Sequence, residues 1–183
     1  ETIERLRKRP NISLRLIDFG KIAGGIQHAK FFIVDGESVF LGSQNFDWRS
    51  LKHIHELGLR IRNTNAVRIY LDIFELDWKL AEANDRSMVT TDLVPRKYDV
   101  PLVSVLGNDT IVFTPTYSPI GLIVDSTLWD EPNIVRLIDG AQKEVSLQFL
   151  AYDTHSRDGS DYLVLDEALR RAASRGVKVR LLV

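Results

Sequence analysis

The run His28-Ala29-Lys30-Phe31-Phe32-Ile33-Val34-Asp35-Gly36, followed by Ser38-Val39-Phe40-Leu41-Gly42-Ser43-Gln44-Asn45, decides how this chain is read. Two apolar stretches, each too short for a helix, flank Asp35-Gly36, a pair suited to a hairpin turn. His28–Val34 and Ser38–Leu41 are therefore expected as paired strands. In a strand, His28 and Lys30 stand on one face about 6 to 7 Å apart. There they can grip one ligand, and a histidine beside a permanent cation suits an anion. Ala29 and Phe31 are expected to point the other way, into core.

Residues just past the second stretch extend the same chemistry. Gly42 lets the backbone turn tightly, and Ser43 and Asn45 offer uncharged hydrogen-bonding groups that suit phosphate oxygens. Eleven residues beyond Asn45, Glu56 heads another expected strand, Glu56–Arg62, where the connectivity returns it to the same sheet edge. A carboxylate there could orient a histidine. A lone histidine on a strand is most often structural, and His53, His55 and His155 lack such company, so they read as surface or loop groups. Trp78 falls inside a helical pattern and reads as core, whereas Trp48, beside the motif, fits a cleft lining or core equally.

Outward from this run, Ile12, Leu14 and Leu16 alternate with polar neighbours, predicting a strand over residues 12–18 after a helix end stopped near Pro10. From Thr64 to Ala83 the apolar positions Ile69, Ile73, Leu76 and Leu80 recur at helical spacing opposite Arg68, Asp72, Glu75, Lys79 and Glu82. That spacing predicts an amphipathic helix braced by pairs such as Arg68 with Asp72. Between about 86 and 121, Pro95, Pro101, Pro115 and Pro119 interrupt regular structure and leave one expected strand at Thr110–Thr114. Beyond it are expected a helix at Pro132–Ala141, a strand at Glu144–Ala151, a helix at Tyr162–Ser174 and a strand at Val177–Val183. The alternation predicts an α/β fold, a mixed or parallel β-sheet flanked by helices. Ile12-Ser13-Leu14-Arg15-Leu16-Ile17 also echoes Val177-Lys178-Val179-Arg180-Leu181-Leu182, suggesting a weak helix-to-strand repeat.

Composition narrows the classes. With 183 residues, 44% hydrophobic and 27% charged, the chain is typical of globular proteins. The absence of cysteine excludes disulfides, thiolate catalysis and cysteine-ligated zinc. A net charge of -1 gives no global pull toward nucleic acid, and the local cluster Arg5, Arg7, Lys8 and Arg9 reads as a solvated helix face. No apolar run approaches the roughly 18 to 20 residues that span a bilayer. The chain opens on Glu1 instead of methionine, so its location stays unread from this end.

The series His28-x-Lys30-x4-Asp35, then Gly42-Ser43-x-Asn45, then Glu56 resembles the signature motif of the phospholipase D superfamily. Asp47-Trp48-Arg49-Ser50-Leu51 and Glu56-Leu57-Gly58 are similar to the branch holding cardiolipin synthase-like enzymes and phospholipase D-like 5′ exonucleases. Residues 165–183 resemble the helix-strand unit that precedes the motif in each lobe of such enzymes. The resemblance implies two lobes, each giving one motif to a shared site. Residues 1–85 would be the back part of a first lobe, 86–121 a crossover, and 122–183 the front part of a second whose motif is absent. That second motif would come from the rest of a longer protein or from a dimer partner.

By the same resemblance the chemistry is phosphodiester hydrolysis or transfer through a phosphohistidine, with no metal and no cofactor. One histidine attacks phosphorus and another protonates the leaving oxygen, and His28 fits either role. Lys30, Asn45 and Ser43 would stabilise charge on the nonbridging oxygens, and Glu56 would hydrogen-bond a catalytic histidine. Asp35, Gly42 and Asp47 are read as structural members of the motif. Arg49 either touches phosphate or braces the loop against Asp47 or Glu56. A phospholipid headgroup is the expected substrate. A nuclease acting on single-stranded nucleic acid is the first alternative, since gripping one strand end needs few cations, and a noncatalytic anion-binding scaffold is the second.

Overall fold

The α/β alternation expected from the sequence is what a computed structural model of the chain contains; it describes residues 2–85, 87 and 96–183. Pro95, one of the expected breaks, lies outside the described residues. In order, the elements are α1 (Thr2–Arg7), α2 (Phe19–Ala23), β1 (Phe31–Val34), β2 (Ser38–Gly42), α3 (Trp48–Lys52), β3 (Gly58–Ile61) and α4 (Thr64–Ala83). They continue with β4 (Leu102–Leu106), β5 (Asp109–Phe113), α5 (Asp130–Asp139), β6 (Glu144–Gln148), α6 (Val164–Ser174) and β7 (Lys178–Leu182). Parallel and antiparallel pairings both occur, spread over three small sheets. The described chain divides into two compact units. One runs up to Pro115 and includes Gly121–Thr127; the other comprises Thr116–Ile120 and Leu128–Val183.

In the first unit, β1, β2 and β3 form an antiparallel sheet in that order. The turn between β1 and β2 is the expected one: Asp35 and Gly36 take φ of 54° and 66°, and Glu37 N–H donates to Val34 O at 3.0 Å. Successive left-handed residues match the twist of the flanking strands, and Asp and Gly adopt that conformation most cheaply. One sheet face places Phe31, Ile33, Leu41 and Ile61 around buried Val39, against Val67 and Tyr70 of α4. The Phe31 and Tyr70 rings lie 5.7 Å apart.

Helix α4 has the bounds its apolar spacing predicts. The Asn63 side chain caps its start by accepting from Ala66 N, and left-handed Asn84 ends it. Beyond the sheet-facing stretch, Leu76 and Leu80 bury with Ile22 of α2 and with Leu122 and Val124. The segment leading to the motif is tied along this helix by polar contacts. Arg15 donates to Trp78 O at 2.7 Å and lies 4.6 Å over the Trp78 ring. Asn84 donates to Leu16 O and accepts from Asp18 N. Gln27 Nε2 donates to Asp77 Oδ2 at 2.6 Å.

Several local expectations change. Residues 12–18 form no strand, because alternation supplies no neighbour to pair with and their contacts go to α4 instead. Only the later copy of the echo finds one: β7 pairs in parallel with β6, Val145 opposite Val179. The stretch read as a crossover with one strand holds a hairpin, β4 and β5, turning at Gly107-Asn108. Asp72 is taken by Arg96, at 2.7 and 2.8 Å, and by the Tyr98 hydroxyl at 2.7 Å, in place of Arg68. In the second unit, Ile138, Ala168, Ala172 and Val177 form the core between α5, α6 and the parallel pair. Among the described residues no helix is long and apolar enough to cross a membrane.

Gly42 and Gly58 face each other across β2 and β3. A Cβ on Gly42 would come 2.7 Å from Leu57 O and closer still to Gln44 Oε1; one on Gly58 would come 2.6 Å from Phe40 Cζ. Because Leu57 O is backbone and cannot rotate aside, Gly42→Ala is expected to destabilise the protein by about 1 to 3 kcal/mol. A lowered urea midpoint checks this; an unchanged midpoint contradicts it.

Burial pushes the Asp77 carboxyl up from 3.8 to about 6, and the Gln27 hydrogen bond offsets only part of that rise. The fold thus favours the protonated form. Its contribution is fully present below about pH 4 and is lost as pH rises through about 6. Asp77→Asn should gain stability over the natural protein on going from pH 4 to pH 7.5, by up to about 3 kcal/mol. Unfolding curves at the two pH values test this, and a pH-independent difference would contradict it.

Candidate active site

Strand β1 begins at Phe31, three residues later than expected, so His28, Ala29 and Lys30 are the approach to the strand and lie outside it. Lys30 O still accepts from Gly42 N at 3.1 Å, which ties the approach to the end of β2. Lys30 Nζ donates to His28 O at 2.7 Å. This contact is to the His28 backbone and leaves the His28 ring out of it; the carbonyl has no ladder partner there. His28 and Ala29 are exposed, and Lys30 and Phe31 are partly buried.

The next strand end meets the same edge. Ser43 N–H donates to Leu57 O at 3.0 Å, Ser43 Oγ donates to Glu56 Oε2 at 2.6 Å, and Leu57 N–H donates to Ser43 Oγ at 3.1 Å. Three chain segments, 28–30, 42–43 and 56–58, are thereby sewn together at one end of the sheet. Asp35 sits at the opposite end of the hairpin, in the turn. Glu56 accepts from Ser43 through Oε2 and bonds no histidine among the described residues, which leaves Oε1 to accept from another donor. The Ser43 proton is correspondingly committed, making Ser43 a brace in this arrangement.

Asn45 is exposed, and its backbone carbonyl accepts from Asp47 N at 2.9 Å. Its side-chain amide has no protein partner among the described residues, so a ligand can meet it. Asp47 caps α3: its Oδ1 accepts from Arg49 N and Ser50 N, both at 2.9 Å. What ties Asp47 to Arg49 is therefore backbone. The Arg49 guanidinium forms no ion pair with Asp47 or Glu56 among the described residues, which removes the expected loop brace. Trp48 is 65% exposed and meets His53 edge-on at 5.4 Å, so it is not core.

Three residues near the motif were not singled out by sequence. Gln44 lies across the Gly42 and Gly58 pair, and its Oε1 is buried without a partner. Gln27, immediately before His28, donates to Asp77 and accepts from Ala29 N at 2.9 Å. Asp77 had a readable signal: it stands between Ile73 and Leu80 at helical spacing, a carboxylate on the buried stripe of α4. In the second unit, His155 Nδ1 lies 3.0 Å from Asp153 Oδ1 in an exposed loop. Among the described residues no group of three or more His, Cys, Asp or Glu side chains is arranged to hold a metal ion.

Residues 1–78, which contain every motif residue described above, match the family model described as cardiolipin synthase, PLD-like domain. Over 186 residues the chain is 32% identical to the 5′-3′ exonuclease PLD3 of Xenopus tropicalis, covering 96% of this chain and 37% of that protein. Against the 5′-3′ exonuclease PLD3 of Homo sapiens it is 31% identical over 181 residues, 93% of this chain and 36% of the relative. Against the virion nicking-joining enzyme of Monkeypox virus it is 33% identical over 190 residues, 99% of this chain and 44% of the relative. The chain spans less than half the length of these curated relatives. Apart from Asp35 in the turn, the motif segments meet at one sheet end, and the similarity runs through nearly the whole sequence: the chain belongs to the phospholipase D superfamily.

Proposed function

We propose that this chain supplies one histidine-lysine half of a phosphodiesterase site that acts on nucleic acid. The observation that carries the reading is its similarity, over 93% to 99% of its length, to proteins named 5′-3′ exonuclease and virion nicking-joining enzyme. The phospholipid headgroup expected from the motif yields to this alternative on those names, because the motif itself does not discriminate. The motif grips a phosphate, and that phosphate is the same whether glycerol or deoxyribose flanks it. The matching family's description, cardiolipin synthase, PLD-like domain, keeps a lipid headgroup as the second reading.

In this reading residues 1–85 complete a first lobe, 86–121 cross over and 122–183 begin a second. The second histidine comes from the rest of a longer protein or from a dimer partner. A neutral imidazole nitrogen attacks phosphorus, forming an N–P bond as the P–O bond to the leaving alcohol breaks. The other histidine, cationic at the start, gives its proton to that oxygen. Water then attacks phosphorus, loses a proton to the second histidine and releases the first. His28 takes one of these roles. Lys30 and the Asn45 amide receive the nonbridging oxygens, and the Ser43-Glu56 clasp holds the strand end that presents them.

The test uses full-length protein on a single-stranded DNA oligonucleotide and on phospholipid vesicles. Turnover of the oligonucleotide is expected, with His28→Ala lowering it by about a thousandfold or more. Turnover of lipid alone contradicts the substrate. Undiminished activity of His28→Ala contradicts catalysis at this motif and favours the anion-binding scaffold.

A further inference from the structure

We propose that Gln27 and Asp77 are a positioning pair that fixes the peptide unit between His28 and Ala29, and through it the direction in which His28 is presented. This rests on the reading of His28 as a reacting group. The peptide is held at both poles. Its carbonyl, His28 O, accepts from Lys30 Nζ at 2.7 Å, and its N–H, on Ala29, donates to Gln27 Oε1 at 2.9 Å. Gln27 is itself held, since its Nε2 donates to Asp77 Oδ2 at 2.6 Å. Rotation about the backbone bonds on either side of this peptide breaks one contact or the other.

Residues 28 and 29 need such support because they lie outside β1, and the backbone tie to β2 begins only at Lys30, whose carbonyl accepts from Gly42 N. The Lys30 contact is the less dedicated hold during turnover, since the same ammonium has to receive a phosphate oxygen with another of its three donors. The Gln27 contact is the hold on that peptide that substrate does not draw on. An ionised carboxylate only accepts, so Asp77 also dictates which way the Gln27 amide faces, Nε2 toward α4 and Oε1 toward Ala29. Asp77 stands on a 20-residue helix buried at both halves, a rigid support for the loop.

Asp77 is a costly choice at this position. It occupies the apolar stripe of α4, and burial lifts its carboxyl to about 6. Leucine there would fill the same stripe without desolvating a charge. No packing role calls for a carboxylate, whereas orienting an amide does.

Steady-state kinetics of the full-length protein on the oligonucleotide test the pair, with thermal midpoints measured alongside. Gln27→Ala and Asp77→Leu are expected to lower kcat about 10- to 100-fold while KM stays within about threefold, the signature of a misplaced reacting group. Asp77→Leu should keep its thermal midpoint. Asp77→Asn, whose Oδ1 still accepts from Gln27, should return kcat to within about threefold of the natural protein. Because Gln27 is exposed, Gln27→Ala reads the contact without disturbing the core. If His28→Ala is inactive but Gln27→Ala keeps full kcat, the positioning proposal alone is overturned. Equal losses in Asp77→Asn and Asp77→Leu overturn it as well. An active His28→Ala overturns the catalytic reading and this proposal together.

Discussion

Burial of α4 along two successive stretches of one face is the constraint on which the first unit depends. Its first half lays Val67 and Tyr70 on the β1-β2-β3 sheet, and its second half buries Leu76 and Leu80 against α2 and the 122–124 segment. Each such apolar side chain contributes about 1.5 to 3 kcal/mol when removed from water. The helix therefore holds the strand that carries the motif and the loop that enters it in one frame. Arg15, Asn84 and Asp77 add polar ties along its length, and the last of these lies one residue from His28 through Gln27.

The sheet turns that frame into a site through close approach at one end. Facing glycines at 42 and 58 let Gln44 and Phe40 lie over the strands, and the Ser43-Glu56 clasp closes the same end. Lys30 is joined to this end through its carbonyl, while its ammonium rests on His28 O. An ammonium resting on one neutral carbonyl keeps two further donors, and a phosphate that meets them adds opposite charge to the hydrogen bond. The arrangement thus describes a resting grip with donors in hand for an arriving phosphate.

How much of this was legible depends on whether the signal was local. The α4 bounds followed from period and the hairpin from Asp35-Gly36, both properties of contiguous residues. The start of β1 was not legible, since a strand exists only where a neighbour pairs with it, and residues 12–18 failed as a strand for the same reason. The β4-β5 hairpin was obscured by flanking prolines, although Gly107-Asn108 between two apolar runs announces it. The motif residues were readable by type, but the partner of Glu56 and the backbone role of Asp47 needed coordinates. Substrate was least legible. A phosphate-gripping motif does not encode what lies on either side of the phosphorus, so only the names of the relatives, exonuclease and nicking-joining enzyme, speak to it.

The central claim is that the end of the sheet bearing His28, Lys30 and Asn45 is where a phosphodiester is held. A crystal structure of the full-length protein with tungstate, a tetrahedral oxyanion, tests it most directly. The anion is expected within hydrogen-bond distance of the His28 ring, of Lys30 Nζ and of the Asn45 amide, with Ser43 still bound to Glu56. An anion bound elsewhere, with no contact to these three groups, would contradict the claim.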